Sequence, residues 1–208
     1  MVADRSGGTI AHRRFADIVD FLRHGDVLVV NDTRVIRARL VGRRQTGGSV
    51  EVLLLQEIAP LRWRCIVKPS RRVRPGMDIA FDYGYHARVE ERRPDGFIVT
   101  LSAHGMIDAV GKVPLPPYID REPEDLDLEA YQTVYARHAG SVAAPTAGLH
   151  FTPDILEKIA AGGVEIVPVT LHVGLGTFTP LRTRNVDDHV MHAEEYTVTD
   201  AAASALNR

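Results

Sequence analysis

Hydrophobic residues recur with helical spacing in the N-terminal part of the chain. Phe15, Ile18, Val19 and Leu22 fall at positions i, i+3, i+4 and i+7, and Gly25 follows as a stop. The spacing therefore predicts a helix over 15–22. Further helices are predicted over 128–137 and 153–161, the second of them opened by a threonine and a proline.

Other apolar segments have the pattern of strands. Residues 27–30 and 164–173 are largely apolar, as in strands that are buried on both faces. Positions 36–40 alternate between apolar and basic residues, which indicates a half-exposed strand. Between residues 63 and 101, Pro-Gly and Asp-Gly turns separate short strands without a long helix. This region is therefore predicted to form a small antiparallel barrel or sheet.

The composition is that of a globular protein. The chain has 208 residues, of which 45% are hydrophobic and 25% charged, so it can bury a core as one or two domains. No apolar segment approaches the roughly 18 residues of a membrane span, and residues 1–8 lack the apolar stretch of a signal peptide, so we expect a cytoplasmic protein. The lone Cys65 excludes an internal disulfide and a cysteine-based zinc site.

The net charge of -2 hides an asymmetry between the two halves of the chain. Residues 1–104 carry a net charge of +6, and residues 105–208 carry -8. The segments 34–44 and 62–74 contain basic residues and no acidic ones. Such clustering fits a polyanionic partner, but the same residues would also suit ordinary solvated strand faces.

Candidate chemistry is concentrated in polar loops that follow apolar elements. These loops lie at 31–34, 140–152, 172–178 and 189–195. Histidine suits general acid and base catalysis at neutral pH because its ordinary pKa is about 6.5. The candidate proton-transfer residues in the loops are His150, His172, His189, His192 and Glu194.

Two other interpretations of the histidines stay open at this point. His189 and His192 are three residues apart and close to Glu194, which could indicate a metal-dependent hydrolase, although the chain lacks an H-E-x-x-H motif. Any single histidine could also be a hydrogen-bonded structural residue. The nearly uniform small residues of 140–148 could let backbone approach a ligand or could form a tightly packed loop.

Long motifs in a fixed order give the chain a family resemblance. They are N-D-T-R-V-I at 31–36, T-G-G at 46–48, Y-Q-T-V-Y-A at 131–136, P-T-A-G-L-H-F-T at 145–152, T-L-H-V-G-L-G-T-F at 170–178 and D-H-V-M-H-A-E-E-Y at 188–196. With these motifs the chain resembles the S-adenosylmethionine:tRNA ribosyltransferase-isomerase family of queuosine biosynthesis over nearly its whole length.

The resemblance implies the fold. It is an α/β domain with a smaller antiparallel β-barrel-like domain inserted in it. On this basis residues 1–58 are predicted to form the first part of the α/β domain, 59–113 the inserted domain, and 114–208 the second part. The stiff proline-rich segment 114–119 would be the return linker.

The resemblance also implies the reaction. The ribosyl group of S-adenosylmethionine would be transferred to the 7-aminomethyl-7-deazaguanine wobble base of tRNA and isomerised, giving epoxyqueuosine, adenine and methionine. S-adenosylmethionine is then a consumed cosubstrate, tRNA is the partner, and no metal or membrane is expected. We expect a monomer.

Site residues follow from the same resemblance as hypotheses. The catalytic set would be the four histidines and the glutamate given above. The substrate-binding residues would be Asp32, Arg34, Thr146, Gly148, Gly174, Gly176, Thr177 and Phe178, the last by stacking. The RNA-binding residues would be Arg37, Arg39, Arg43, Arg44, Arg71, Arg72 and Arg74.

The chain departs from the family pattern in two ways. Arg37 stands where the family usually has a proline, and relatives extend beyond both ends of this sequence, so we expect a truncated α/β domain. The alternative function is therefore a non-catalytic tRNA-binding remnant.

Overall fold

The computed structural model describes residues 1–116, 118–178, 183–188 and 191–208, with only the backbone of Leu175 and Phe178. Its strands are β1 Val2–Ala3, β2 Ile10–Ala11, β3 Val27–Asn31, β4 Thr33–Val35, β5 Arg39–Arg44, β6 Ser49–Ala59, β7 Arg62–Lys68, β8 Asp78–Ala80, β9 His86–Arg93, β10 Gly96–Leu101, β11 Gly111–Lys112, β12 His138–Ser141, β13 Glu165–His172 and β14 Glu195–Thr197. The α-helices are α1 Met106–Val110, α2 Asp127–Ala130, α3 Pro153–Ala161 and α4 Asp200–Leu206. The 3-10 helices are Phe15–Phe21, Ser70–Arg72, Asp82–Gly84, Thr146–His150, Leu175–Phe178 and Val186–Asp188.

Strands β5 to β10 form a closed antiparallel barrel. The sheet runs in the order β11-β5-β6-β7-β10-β9-β8, and β8 pairs back onto β5. Alternate residues of each strand point inward, as the period of two in a strand requires. The interior is apolar and almost fully buried, and it includes Leu40, Val52, Leu54, Ile79, Val89 and Val99. The predicted antiparallel barrel is confirmed.

Gly42 lies where the barrel closes. A Cβ atom at this position would lie 2.6 Å from the Ala80 carbonyl oxygen and 2.8 Å from the Phe81 ring, so the seam between β5 and β8 has no room for a side chain. The closed sheet takes in β5 and β6, which together span residues 39–59. The domain division given above stays a prediction.

The remaining elements form an α/β unit beside the barrel. β3 and β13 pair in parallel, with Val27 opposite Glu165 and Asn31 opposite Val169, while β14 pairs antiparallel to β13. A second parallel pair joins β4 to β12. α3 and the 3-10 helix at 15–21 cover one side of the β3–β13 pair, and α4 packs on Val167 on the other. The fold class expected from the resemblance is confirmed.

Two helix predictions need correction. The segment predicted as a helix over 15–22 is a 3-10 helix, in which β-branched and aspartate residues with low helix propensity are common. The helix predicted over 128–137 ends at Ala130. Gln132 explains this end, because its side-chain amide donates to the Val35 carbonyl (2.8 Å) and accepts from the Val35 N–H (3.0 Å). By contrast, α3 begins as predicted, with the Thr152 hydroxyl accepting from the Ile155 N–H.

Candidate active site

A cleft of about 320 Å³ lies between the barrel and the α/β unit. The barrel contributes the ends of β6 and β7, and the α/β unit contributes the end of β13 and the segment before β14. The carboxyl ends of strands in such sheets are common ligand sites. The lining residues are Leu55, Gln56, Glu57, Trp63, Arg64, Ala139, Gly140, His172, Gly174, Gly176, His192, Ala193, Glu194 and Glu195.

His172 reaches the cleft from the last position of β13. Just before it, the Asn31 side chain donates to the Leu171 carbonyl (2.9 Å) and accepts from the Leu171 N–H (3.0 Å), which fixes the end of β13 against β3. The His172 Nδ1 lies 2.8 Å from the hydroxyl of Thr33, a fully buried residue. The His172 ring is therefore anchored by Thr33 of β4, and the backbone just before it is fixed by Asn31 of β3.

His192 and Glu194 form a second polar group in the cleft. One oxygen of Glu194, Oε1, accepts from the Gly174 N–H (2.9 Å) and lies 3.2 Å from His192 Nε2. The His192 ring also packs on the backbone of Gly176, where a Cβ atom would overlap the ring. Gly176 is thus required by the close approach of an imidazole, and the carboxylate links the loop after β13 to the segment before β14.

The cleft carries more negative than positive charge. Glu57, Glu194 and Glu195 line it, and Arg64 is the basic residue among them. Arg64 is itself engaged by Asp95, 2.8 Å away. The Gln56 amide donates to Glu195 (3.3 Å) and joins the barrel to the α/β unit across the cleft. A cationic ligand would therefore be favoured here.

Several predicted site residues lie elsewhere. The His150 ring packs against the Phe15 ring, with centroids 5.0 Å apart, away from the cleft. Asp32 is buried, accepts from the Thr170 hydroxyl (2.7 Å) and lies 3.6 Å from His138 Nε2. Both residues thus have structural partners within the described part of the chain.

The small residues of the 140–148 loop have different roles along its length. Gly148 is buried, and a Cβ atom there would overlap the Tyr135 hydroxyl, so this glycine serves tight packing. Thr146 and Thr177 are exposed outside the lining of the cleft, and Arg34 is exposed on β4. The predicted roles of His189 and of the Phe178 side chain fall outside the described part of the structure.

Sequence reasoning missed the residues that the barrel brings to the cleft. Arg64 was counted only among the basic residues of 62–74, and nothing in the local pattern separates it or Glu57 from other surface charges. Thr33 was within reach, because it belongs to the N-D-T-R-V-I motif at the end of a buried strand.

Six of the seven predicted RNA-binding arginines fall into two groups, and the seventh, Arg44, is half-buried with its guanidinium against Gly48. Arg39 is paired with Glu51 and Glu122, and Arg37 donates to the Asp108 carbonyl. Arg39 also borders a second cleft of about 570 Å³ beside the linker at 114–123. The other group is exposed and forms no ion pair within the described residues; it consists of Arg43, Arg71, Arg72 and Arg74.

The described residues lack two features. They contain no group of three or more histidine, cysteine or acidic side chains placed to hold a metal ion. None of their helices is long and apolar enough to span a membrane.

Comparison with known proteins shows the family to which the chain belongs. The family described as "Queuosine biosynthesis protein" matches residues 1–208, and the chain belongs to it. The expected resemblance is confirmed.

Its curated relatives carry the name S-adenosylmethionine:tRNA ribosyltransferase-isomerase. The relative from Syntrophotalea carbinolica is 50% identical over all of this chain and 63% of its own length. The relative from Anaeromyxobacter sp. is 50% identical over 96% of this chain and 60% of its own length. The relative from Staphylococcus saprophyticus is 46% identical over 100% of this chain and 62% of its own length. The chain thus spans about three fifths of the length of these relatives.

A solved structure is also similar in sequence. The S-adenosylmethionine tRNA ribosyltransferase from Thermotoga maritima is 28% identical, with a TM-score of 0.35, and the match covers 98% of this chain and 54% of that one.

Proposed function

We propose that the cleft between the barrel and the α/β unit is the active site of an S-adenosylmethionine:tRNA ribosyltransferase-isomerase. The ribosyl group of S-adenosylmethionine is transferred to the 7-aminomethyl-7-deazaguanine wobble base of tRNA and rearranged to the epoxycyclopentanediol of epoxyqueuosine. Adenine and methionine leave. The observation that carries this proposal is the convergence of His172, His192 and Glu194 in one cleft, in a chain whose relatives bear that enzyme name.

The charge of the cleft suits the proposed cosubstrate. S-adenosylmethionine carries a positive sulfonium, and Glu57, Glu194 and Glu195 supply carboxylates on both sides of the cleft. Opposite charges in a partly desolvated cleft attract more strongly than in bulk water. The carboxylates therefore favour the binding of positively charged S-adenosylmethionine over the binding of neutral nucleosides.

The proton transfers of the reaction match the residue types present. A proton on C5′ next to the sulfonium is acidic but needs a positioned base, and adenine needs a proton as it leaves. His172 and His192 serve these two steps, and Glu194 orients His192 through the contact at 3.2 Å. The Gly176 N–H is proposed as a donor to the alkoxide that forms during ring closure, because the Gly174 N–H already donates to Glu194.

The remaining predicted residues enter the proposal with narrower roles. Asp32, Gly148 and His150 have partners in the fold around the cleft, whereas Arg34, Thr146 and Thr177 are exposed and keep their substrate-binding roles in the proposal. His189 and Phe178 keep their predicted catalytic and stacking roles as part of the proposal. No metal takes part.

The partner is proposed to be tRNA, bound by a monomer in the cytoplasm. The segment 68–74 carries Lys68, Arg71, Arg72 and Arg74 without an acidic residue, and all four are exposed. Lysine and arginine at such a surface bind phosphates and release counterions, so binding weakens as salt increases. This segment is the proposed contact with the RNA backbone.

The test is turnover by the full chain. Incubation with S-adenosylmethionine and precursor-bearing tRNA should release adenine, and mass analysis of the wobble nucleoside should show epoxyqueuosine. His172→Ala and His192→Ala should each abolish adenine release and leave tRNA affinity near that of the wild type, while His104→Ala, outside the cleft, should behave as the wild type. Wild-type rates in both cleft variants would remove the proposed roles. Binding of tRNA without adenine release would favour the non-catalytic remnant.

A further inference from the structure

The His172 ring is held from two sides. On one side, its Nδ1 lies 2.8 Å from Thr33 Oγ1. On the other, it covers Gly140, which has a φ of 153°; a Cβ atom there would lie 2.7 Å from the ring Cε1 and 2.9 Å from both ring nitrogens. An alanine at position 140 would therefore push the ring out of place. The glycine and the threonine together define a single position for this imidazole.

The single hydroxyl hydrogen of Thr33 determines which ring nitrogen of His172 carries the proton. Thr33 is fully buried, and its Oγ1 also lies 3.5 Å from the His138 carbonyl oxygen. A hydroxyl has one hydrogen to donate, and a carbonyl oxygen can only accept. Both contacts are hydrogen bonds only if His172 donates from Nδ1 to Oγ1 and Thr33 donates to His138. If His172 carries its proton on Nε2 instead, Thr33 can donate to only one of the two acceptors, and one hydrogen bond is lost. Buried polar groups are rarely left unpaired.

We propose that Thr33 is a positioning residue that holds His172 as the Nδ1–H tautomer, so that the unprotonated Nε2 is the proton acceptor of the site. Since Nδ1 is occupied by Thr33, Nε2 is the nitrogen left for a ligand in the cleft. This assignment of the general base rests on the proposed function. Nε2 forms a bond to the C5′ proton, the C5′–H bond breaks, and the electron pair of that bond stays on the carbon beside the sulfonium. His192 is left to protonate the departing adenine.

Histidine-ring nitrogen NMR of the full chain tests the tautomer without turnover. The resonances of His172 are assigned by their loss in His172→Gln. In the wild type at neutral pH we expect a protonated Nδ1 and an unprotonated Nε2. Thr33→Val, which keeps the shape and removes the hydroxyl, should shift the ring toward the other tautomer, and Thr33→Ser should restore the wild-type spectrum. A protonated Nε2 in the wild type would overturn the proposal even if no variant folded.

A matched threonine controls for the loss of a buried hydroxyl. Thr133 is also buried, and its Oγ1 has no hydrogen-bond partner among the described residues, so Thr133→Val should leave the His172 spectrum unchanged. In the turnover assay, Thr33→Val should lower kcat at least about 10-fold, because a misplaced base loses part of its usual contribution. The KM for S-adenosylmethionine should stay near the wild-type value, and Thr33→Ser should recover most of kcat. An unchanged kcat in a folded Thr33→Val would contradict the proposal.

The two proposals can fail separately. An absence of turnover together with the expected spectrum would reject the function and retain the role of Thr33. Turnover together with an Nε2–H tautomer of His172 would retain the function and reject the role of Thr33.

Discussion

Single side chains that bond to distant backbone groups hold the cleft together. Asn31 bonds both polar groups of Leu171, which lies 140 positions later in the chain, and Glu194 binds the Gly174 N–H. Each bond satisfies a backbone group at a strand end, where the regular ladder stops. The positions of His172 and His192 therefore depend on residues that take no part in proton transfer themselves.

Cys65 gives a prediction at this scale. It lies inside the barrel at 1% exposure, and burial raises the pKa of its thiol to about 12. Because the thiolate is the reactive form, iodoacetamide at pH 8 should leave the native protein unmodified for hours and modify it within minutes in denaturant. Mass spectrometry measures the extent of alkylation. Rapid modification of the folded protein would show that β7 is not buried as described.

One element outside the barrel, the helix α2, is held by a local ion pair. Arg121 donates two bonds of 2.7 Å to Asp127, at the start of the one-turn helix α2. The Glu124 N–H also donates to this carboxylate. The pair closes the turn between the linker and α2, in a segment with few apolar residues.

The Arg121–Asp127 pair predicts a pH effect. The hydrogen bonds from Arg121 and from the Glu124 N–H lower the pKa of Asp127 to about 2, against an ordinary value of 3.8. The folded pKa is thus below the unfolded one, so the stabilisation is complete above about pH 4 and is lost as the pH falls through 2. A carboxyl-carbon NMR titration should give a pKa of about 2 for the wild type and a higher pKa for Arg121→Ala, still below 3.8 because the Glu124 N–H bond remains. Equal values in both proteins would contradict the pairing.

The helices and strands could be predicted from the sequence better than the tertiary contacts between them. The turn residues that separate short strands between residues 63 and 101 were enough to predict an antiparallel barrel or sheet. The end of α2 was missed because it depends on Gln132 bonding to Val35, a contact 97 residues apart. His150 was grouped with the other histidines on motif alone, and its contact with Phe15 arises from tertiary packing. Local patterns cannot report either contact.

At the scale of the whole molecule, the two proposed substrates meet surfaces of opposite charge. The acidic cleft lies at the end of β7 that contains Arg64. The basic segment 68–74 begins at the other end of this strand. Four residues of extended strand separate Arg64 from Lys68, or about 13 Å. An RNA gripped by its backbone at the basic segment could therefore present a base to the cleft while phosphates stay away from its carboxylates.

This separation predicts a selective effect on RNA binding. The triple variant Arg71→Ala, Arg72→Ala, Arg74→Ala should weaken tRNA binding and reduce the slope of log affinity against log salt by up to about 3, roughly one for each lost phosphate contact. S-adenosylmethionine binding should be unchanged. The matched control removes three exposed arginines outside the barrel, Arg5, Arg13 and Arg23. An equal loss in the control would mean that binding follows total charge instead of this segment.

The most direct test of the account is a backbone amide NMR titration of the full chain with S-adenosylmethionine. The account predicts saturable shifts at His172, Gly174, Gly176 and Glu194, which line the cleft, and unchanged positions for Ile119 and Asp120, which line the second cleft. Saturable shifts confined to the second cleft, or no shifts up to millimolar ligand, would contradict it.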